Sequence, residues 1–109
     1  MMVKEISAGE LAQWLADASA EQPVLLDVRE DWEVQLCRIP GSLHIPMNLI
    51  PLRMSELPDD KPIVTVCHHG VRSFQVGLYL ANAGFEPVIS LRGGVEAWAC
   101  DVDPTMAHY

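Results

Sequence analysis

Short apolar runs alternate with amphipathic segments along this chain, and that alternation restricts the fold more than any other feature. Val24-Leu25-Leu26-Asp27-Val28 and Ile63-Val64-Thr65-Val66 read as buried strands, with further strands at Ser42 to Ile45 and Glu86 to Leu91. Helical patterns fill the spaces between them. This order predicts an α/β fold: a mostly parallel central sheet of about five strands with helices on both faces. A length of 109 residues suits one domain, 1–109. A chain of this size buries about 65% of the surface its unfolded form exposes. Half of the residues are hydrophobic, so the core needs no covalent staples.

Turn signals set the expected boundaries. Ser7-Ala8-Gly9-Glu10 has the form of a capping box, opening a helix with Leu11, Trp14, Leu15 and Ala18 on one face. Asp31 to Leu36 predicts a single helical turn, and Asn48 is expected to cap a short helix running to Leu57. After Cys67, a helix is expected to bury Val76, Tyr79, Leu80 and Ala83 and to end at Gly84. Gly93-Gly94 reads as a turn and Val95 to Cys100 as a short helix. The polar stretch 101–109 is expected to be a loosely packed tail.

The net charge of −8 opposes binding to nucleic acid and to anionic membrane surfaces. No segment approaches transmembrane length, and the first residues lack the apolar run of a signal peptide. Three cysteines without paired spacing read as free thiols in a reducing, cytoplasmic setting.

Ligands of a parallel sheet bind beyond the carboxyl ends of its strands, where Asp27 and Cys67 fall. Cys67 also opens the stretch Cys67-His68-His69-Gly70-Val71-Arg72-Ser73, directly before a helix. A thiol with an ordinary pKa of about 8.5 is only about 3% thiolate at pH 7. Making it roughly three-quarters thiolate requires about 2.7 kcal/mol of preferential stabilisation of the anion. Loop N–H groups, a helix N-terminus and Arg72 are the expected sources. Gly70 suits a tight turn with positive φ, Ser73 falls in the first helical turn, and His68 and His69 add positive charge below pH 7. A lone cysteine here would read as a small buried hydrophobe; the crowded loop argues for a nucleophile. The adjacent Cys67, His68 and His69 do not readily converge on one ion, and no Cys-x-x-Cys pair stands elsewhere, so no metal is expected.

Four motifs in order carry a resemblance. Leu25-Leu26-Asp27-Val28-Arg29-Glu30, Arg38 to Pro46, Cys67 to Ser73 and Arg92 to Trp98 resemble the signatures of the single-domain rhodanese (sulfurtransferase) family over nearly the whole chain. The resemblance implies a sulfur donor such as thiosulfate, a persulfide on Cys67, and an acceptor that is cyanide, a thiol or a protein. No organic cofactor is implied. Four residues separate Cys67 from Arg72. Related tyrosine-phosphatase-type enzymes carry one more, which fits a phosphate, whereas the shorter loop suits one sulfur atom. Cys37-Arg38 stands where the family usually has Gly-His, and His68-His69 matches neither the usual thiosulfate nor the usual mercaptopyruvate pattern.

The resemblance suggests that Asp27 and Arg29 support the loop from behind. Arg72 is expected to face the donor's sulfonate, and Arg92 to brace a neighbouring loop. Cys37, Cys100, His44 and His108 carry no assigned role, and Trp14, Trp32 and Trp98 are expected to pack. Two other readings remain: a catalytically idle binding module, and a phosphatase or arsenate reductase.

Overall fold

The computed structural model describes residues 3–109. Five strands, β1 (Lys4–Ile6), β2 (Val24–Asp27), β3 (Leu43–His44), β4 (Ile63–Val66) and β5 (Val88–Leu91), form one sheet in the order β1-β5-β4-β2-β3. Every pairing is parallel, with Asp27 level with Val66 and His44 level with Asp27. The helices are α1 (Ala8–Ala16), α2 (Asp31–Leu36), α3 (Ile50–Arg53), α4 (Val71–Asn82) and α5 (Gly94–Asp101).

Side chains alternate across a strand, so one apolar run feeds two cores. Leu25, Val64, Val66 and Leu91 join Leu11 of α1 and Val95 and Trp98 of α5. Leu26, Ile63 and Val88 join Ile50 of α3 and Val76 and Leu80 of α4. Cys67 continues the parity of Ile63 and belongs to the second core, on the α4 side. The capping box at α1 forms as expected: Ser7 Oγ accepts from Glu10 N–H at 3.1 Å, and Glu10 Oε1 accepts from Ser7 N–H at 3.0 Å.

Several expectations require correction. β1 went unrecognised because three residues, two of them charged, form no apolar run; it completes the sheet by pairing with β5. Helix α1 ends before Ala18. On α4 the buried face is Ser73, Val76, Gly77, Leu80 and Ala81, whereas Tyr79 and Ala83 are exposed. Small residues let that face approach the sheet closely: a Cβ on Gly77 would meet the Val3 side chain at 3.0 Å. Asn48 lies inside a short 3-10 turn, Met47–Leu49, and caps nothing with its side chain.

The tail is not loose. Val102 and Asp103 N–H groups both donate to the Trp98 carbonyl at 2.9 Å, turning the chain back over α5. Met106 then enters the first core, and Tyr109 packs against it. Fully burying a Met side chain contributes about 1.5–3 kcal/mol, enough to hold a short polar segment. No helix among the described residues is long and apolar enough to cross a membrane.

Candidate active site

Asp27 and Cys67 stand at neighbouring strand ends because β2 and β4 are adjacent and in register. After β4 the chain makes a tight turn to enter α4. Gly70 caps that helix with φ 104°, a left-handed conformation that favours glycine. The turn brings the Gly70 N–H to 3.0 Å from Cys67 Sγ. Ser73 Oγ lies 3.4 Å from the same sulfur and 2.8 Å from Ser90 Oγ on β5. Thr65, Ser73 and Ser90 are fully buried, and Thr65 Oγ1 donates to the Ser73 carbonyl at 2.8 Å. A chain of hydroxyls thus runs beneath the thiol.

The loop's carbonyls point the other way. Val95 N–H donates to the Cys67 carbonyl at 2.9 Å, and Glu96 N–H to the His68 carbonyl at 3.1 Å. The first turn of α5 therefore holds the loop by its backbone. Gly94 makes this approach possible, since a Cβ there would run into both carbonyls.

Two buried carboxylates lie near the site, Asp27 on β2 and Glu33 on α2. Asp27 takes a forked contact from Arg29, with Nη2–Oδ2 at 2.7 Å and Nε–Oδ1 at 3.0 Å. Arg29 is completely buried, and its remaining N–H groups donate to the Cys37 carbonyl at 2.7 Å, the Glu33 carbonyl at 3.3 Å and Tyr109 Oη at 3.0 Å. Burial alone would favour losing its proton, but the bonds to Asp27 and Tyr109 outweigh that and hold it charged. His44 Nε2 sits 2.7 Å from the Arg29 carbonyl, so the imidazole is the donor.

Glu33 is the second carboxylate, unseen in the sequence. Its buried carboxylate receives Arg72 Nη1 at 2.6 Å and Nη2 at 2.8 Å, and Tyr109 Oη at 2.7 Å. The Arg72 guanidinium holds the Glu33 carboxyl down at about 2 against the opposing effect of burial. Burial pushes the Tyr109 phenol up to about 12. Arg72 was expected to face the donor; its outer nitrogens are instead taken by Glu33 of α2.

Rings cover the loop on the outside. His68 stacks on Tyr109 with centroids 3.8 Å apart and on His69 at 3.8 Å. Burial, reinforced by His69, lowers the His68 pKa from 6.5, which opposes the positive charge expected of this ring below pH 7. Its Nε2 is enclosed without a hydrogen-bond partner. Val71 is exposed at the start of α4. Among the described residues one loop N–H meets the sulfur, not several. Cys67 itself is only 1% exposed. Cys37 is half-buried beside Arg29, Cys100 is exposed, and all three cysteines are free.

Known proteins share both the sequence and the fold that carry this thiol. A family model described as a rhodanese-like domain matches residues 7–101. The chain belongs to the rhodanese family. This rhodanese is 46% identical over 98 residues to the sulfurtransferase of Allochromatium vinosum, covering 90% of each chain. It is 39% identical to the thiosulfate sulfurtransferase GlpE of Pseudoalteromonas translucida, again covering 90% of each. A rhodanese-like domain protein from Staphylococcus aureus superposes with a TM-score of 0.83 at 30% identity, covering 98% of this chain and 99% of that one. Together these relatives make the protein a rhodanese-type sulfurtransferase.

Proposed function

We propose that Cys67 carries the transferred sulfur as a persulfide. The Cys67 thiolate attacks the outer sulfur of thiosulfate. The bond between the two donor sulfurs breaks, and sulfite leaves with the electron pair. Cyanide, a thiol or an acceptor protein then takes the outer sulfur from Cys67, and the thiolate is restored. With cyanide the product is thiocyanate, and the two half-reactions give ping-pong kinetics.

The observation that carries this reading is the Gly70 N–H, 3.0 Å from Sγ at the mouth of α4. An N–H fixed at that distance is aimed at the atom on which the transferred sulfur's charge is carried, as donors are at an oxyanion hole. His68, His69, Val71 and Ser73 shape the loop around the sulfur. Asp27, Arg29 and Arg72 position the loop rather than bind the donor. Thiosulfate as donor rests on the name of the GlpE relative. Three free cysteines suit a reducing compartment, so we place the protein in the cytoplasm.

The test is intact-protein mass spectrometry after incubation with thiosulfate. One added sulfur is expected, removable by cyanide and absent in Cys67→Ser. Retention of the added sulfur by Cys67→Ser would assign the chemistry elsewhere.

A further inference from the structure

Three potential ligands outside the sulfur site meet at the end of α5. Glu96 and Cys100 are one helical turn apart and share a face. The returning tail lays His108 over them. Its Nδ1 lies 3.0 and 3.1 Å from the two Glu96 carboxylate oxygens, and Cys100 Sγ lies 3.6 Å from Glu96 Oε2. One ligand atom from each residue falls within 4.8 Å of the others.

Two of these three separations lie near those of a metal-ligand set, and the third, between Cys100 and His108, is no more than 4.8 Å. Bonds of about 2.0–2.3 Å at tetrahedral angles place neighbouring ligand atoms about 3.3–3.6 Å apart. An ion therefore fits once the exposed Cys100 and His108 side chains close on it. We propose that Glu96, Cys100 and His108 bind a divalent cation of the zinc class, with a fourth position open to water. Thiolate and imidazole select such an ion over magnesium or calcium. On binding, the Cys100 thiol gives its proton to solvent. The net charge of −8 favours a cation, and the exposure of Cys100 provides the way in.

The site ties the tail to α5. His108 precedes Tyr109, whose ring lies on His68, and Glu96 holds the His68 carbonyl through its own N–H. A bound ion thus fastens two elements that touch the Cys67 loop.

The experiment is done in Cys67→Ser, so that the buried thiol and its sulfur chemistry play no part. Zinc is titrated against a chromophoric chelator, and cobalt is titrated with its absorption spectrum recorded. One ion per chain and a sulfur-to-cobalt charge-transfer band are expected. Adding Cys100→Ser or His108→Ala should weaken binding by more than the about 10–100-fold that loss of a supporting outer partner costs. The charge-transfer band should vanish with Cys100→Ser. Both substituted side chains are exposed, and circular dichroism confirms that the variants fold. No zinc binding in Cys67→Ser, or undiminished binding in either double variant, overturns the site.

Discussion

Arg72 grips both carboxylate oxygens of Glu33, at 2.6 and 2.8 Å, and so fastens α2 to the first turn of α4. The pair joins residues 39 positions apart in the chain. Glu33 has an ordinary pKa of 4.5 and a folded value of about 2. A depressed carboxylate stabilises the fold above its unfolded pKa, and that stabilisation is lost as pH falls through the folded one. Urea midpoints should therefore fall between about pH 4.5 and pH 2. In Glu33→Gln the fall over this window should be smaller. An equal fall in both proteins would contradict the clamp.

Asp27 and Arg29 are both buried, at 1% and 0% side-chain exposure. Removing one charge leaves the other stranded, at about 3–5 kcal/mol. Asp27→Asn should therefore unfold at a much lower denaturant concentration, read by circular dichroism. A midpoint near that of the parent would mean that Arg29 finds other partners.

Gly94 has φ 59° and faces the Cys67 and His68 carbonyls. Gly94→Ala should push the loop off its seat on α5. A displacement of about 1 Å at a reacting group costs about 10²-fold in rate. Thiosulfate:cyanide turnover should fall by that order while far-ultraviolet dichroism stays close to the parent's. Unchanged turnover would show that the loop tolerates the shift.

Ser73 Oγ joins the Cys67 sulfur to Ser90. Ser73→Ala removes a contact to the sulfur and leaves the buried Ser90 hydroxyl short of a partner, costing about 1–3 kcal/mol of stability. The loss of one stabilising contact of about 1.4 kcal/mol corresponds to about tenfold slower persulfide formation. Stopped-flow measurement of the first half-reaction checks this. A purely structural hydroxyl would lower the unfolding midpoint and leave that rate intact.

What the sequence discloses here depends on distance along the chain. The runs at β2 and β4, the cap at Ser7 and the Gly70 turn are local, because each joins residues within a few positions. Glu33 and Arg72 are 39 positions apart, Ser73 and Ser90 17, and Arg29 and Tyr109 80. No periodicity links such partners. Glu33 did carry a faint signal, as an acid on the short helix that follows Arg29. Tyr109 carried none, because its place depends on the turn at Trp98 that sends the tail back. Strand β1 was hidden for another reason: an edge strand of Lys4-Glu5-Ile6 is set by pairing with β5 rather than by its own composition.

Cys67 is a hinge pin between the two halves of the molecule. Its sulfur is seated in the α4 layer, while its carbonyl is tied to the α5 layer through Val95. Because successive residues of a strand face opposite ways, inserting or deleting one residue in Ile63–Val66 would swap these attachments. The sulfur would then emerge beneath Trp98, away from Gly70 and Ser73. Length in this strand is therefore more tightly constrained than the identity of any single aliphatic residue within it.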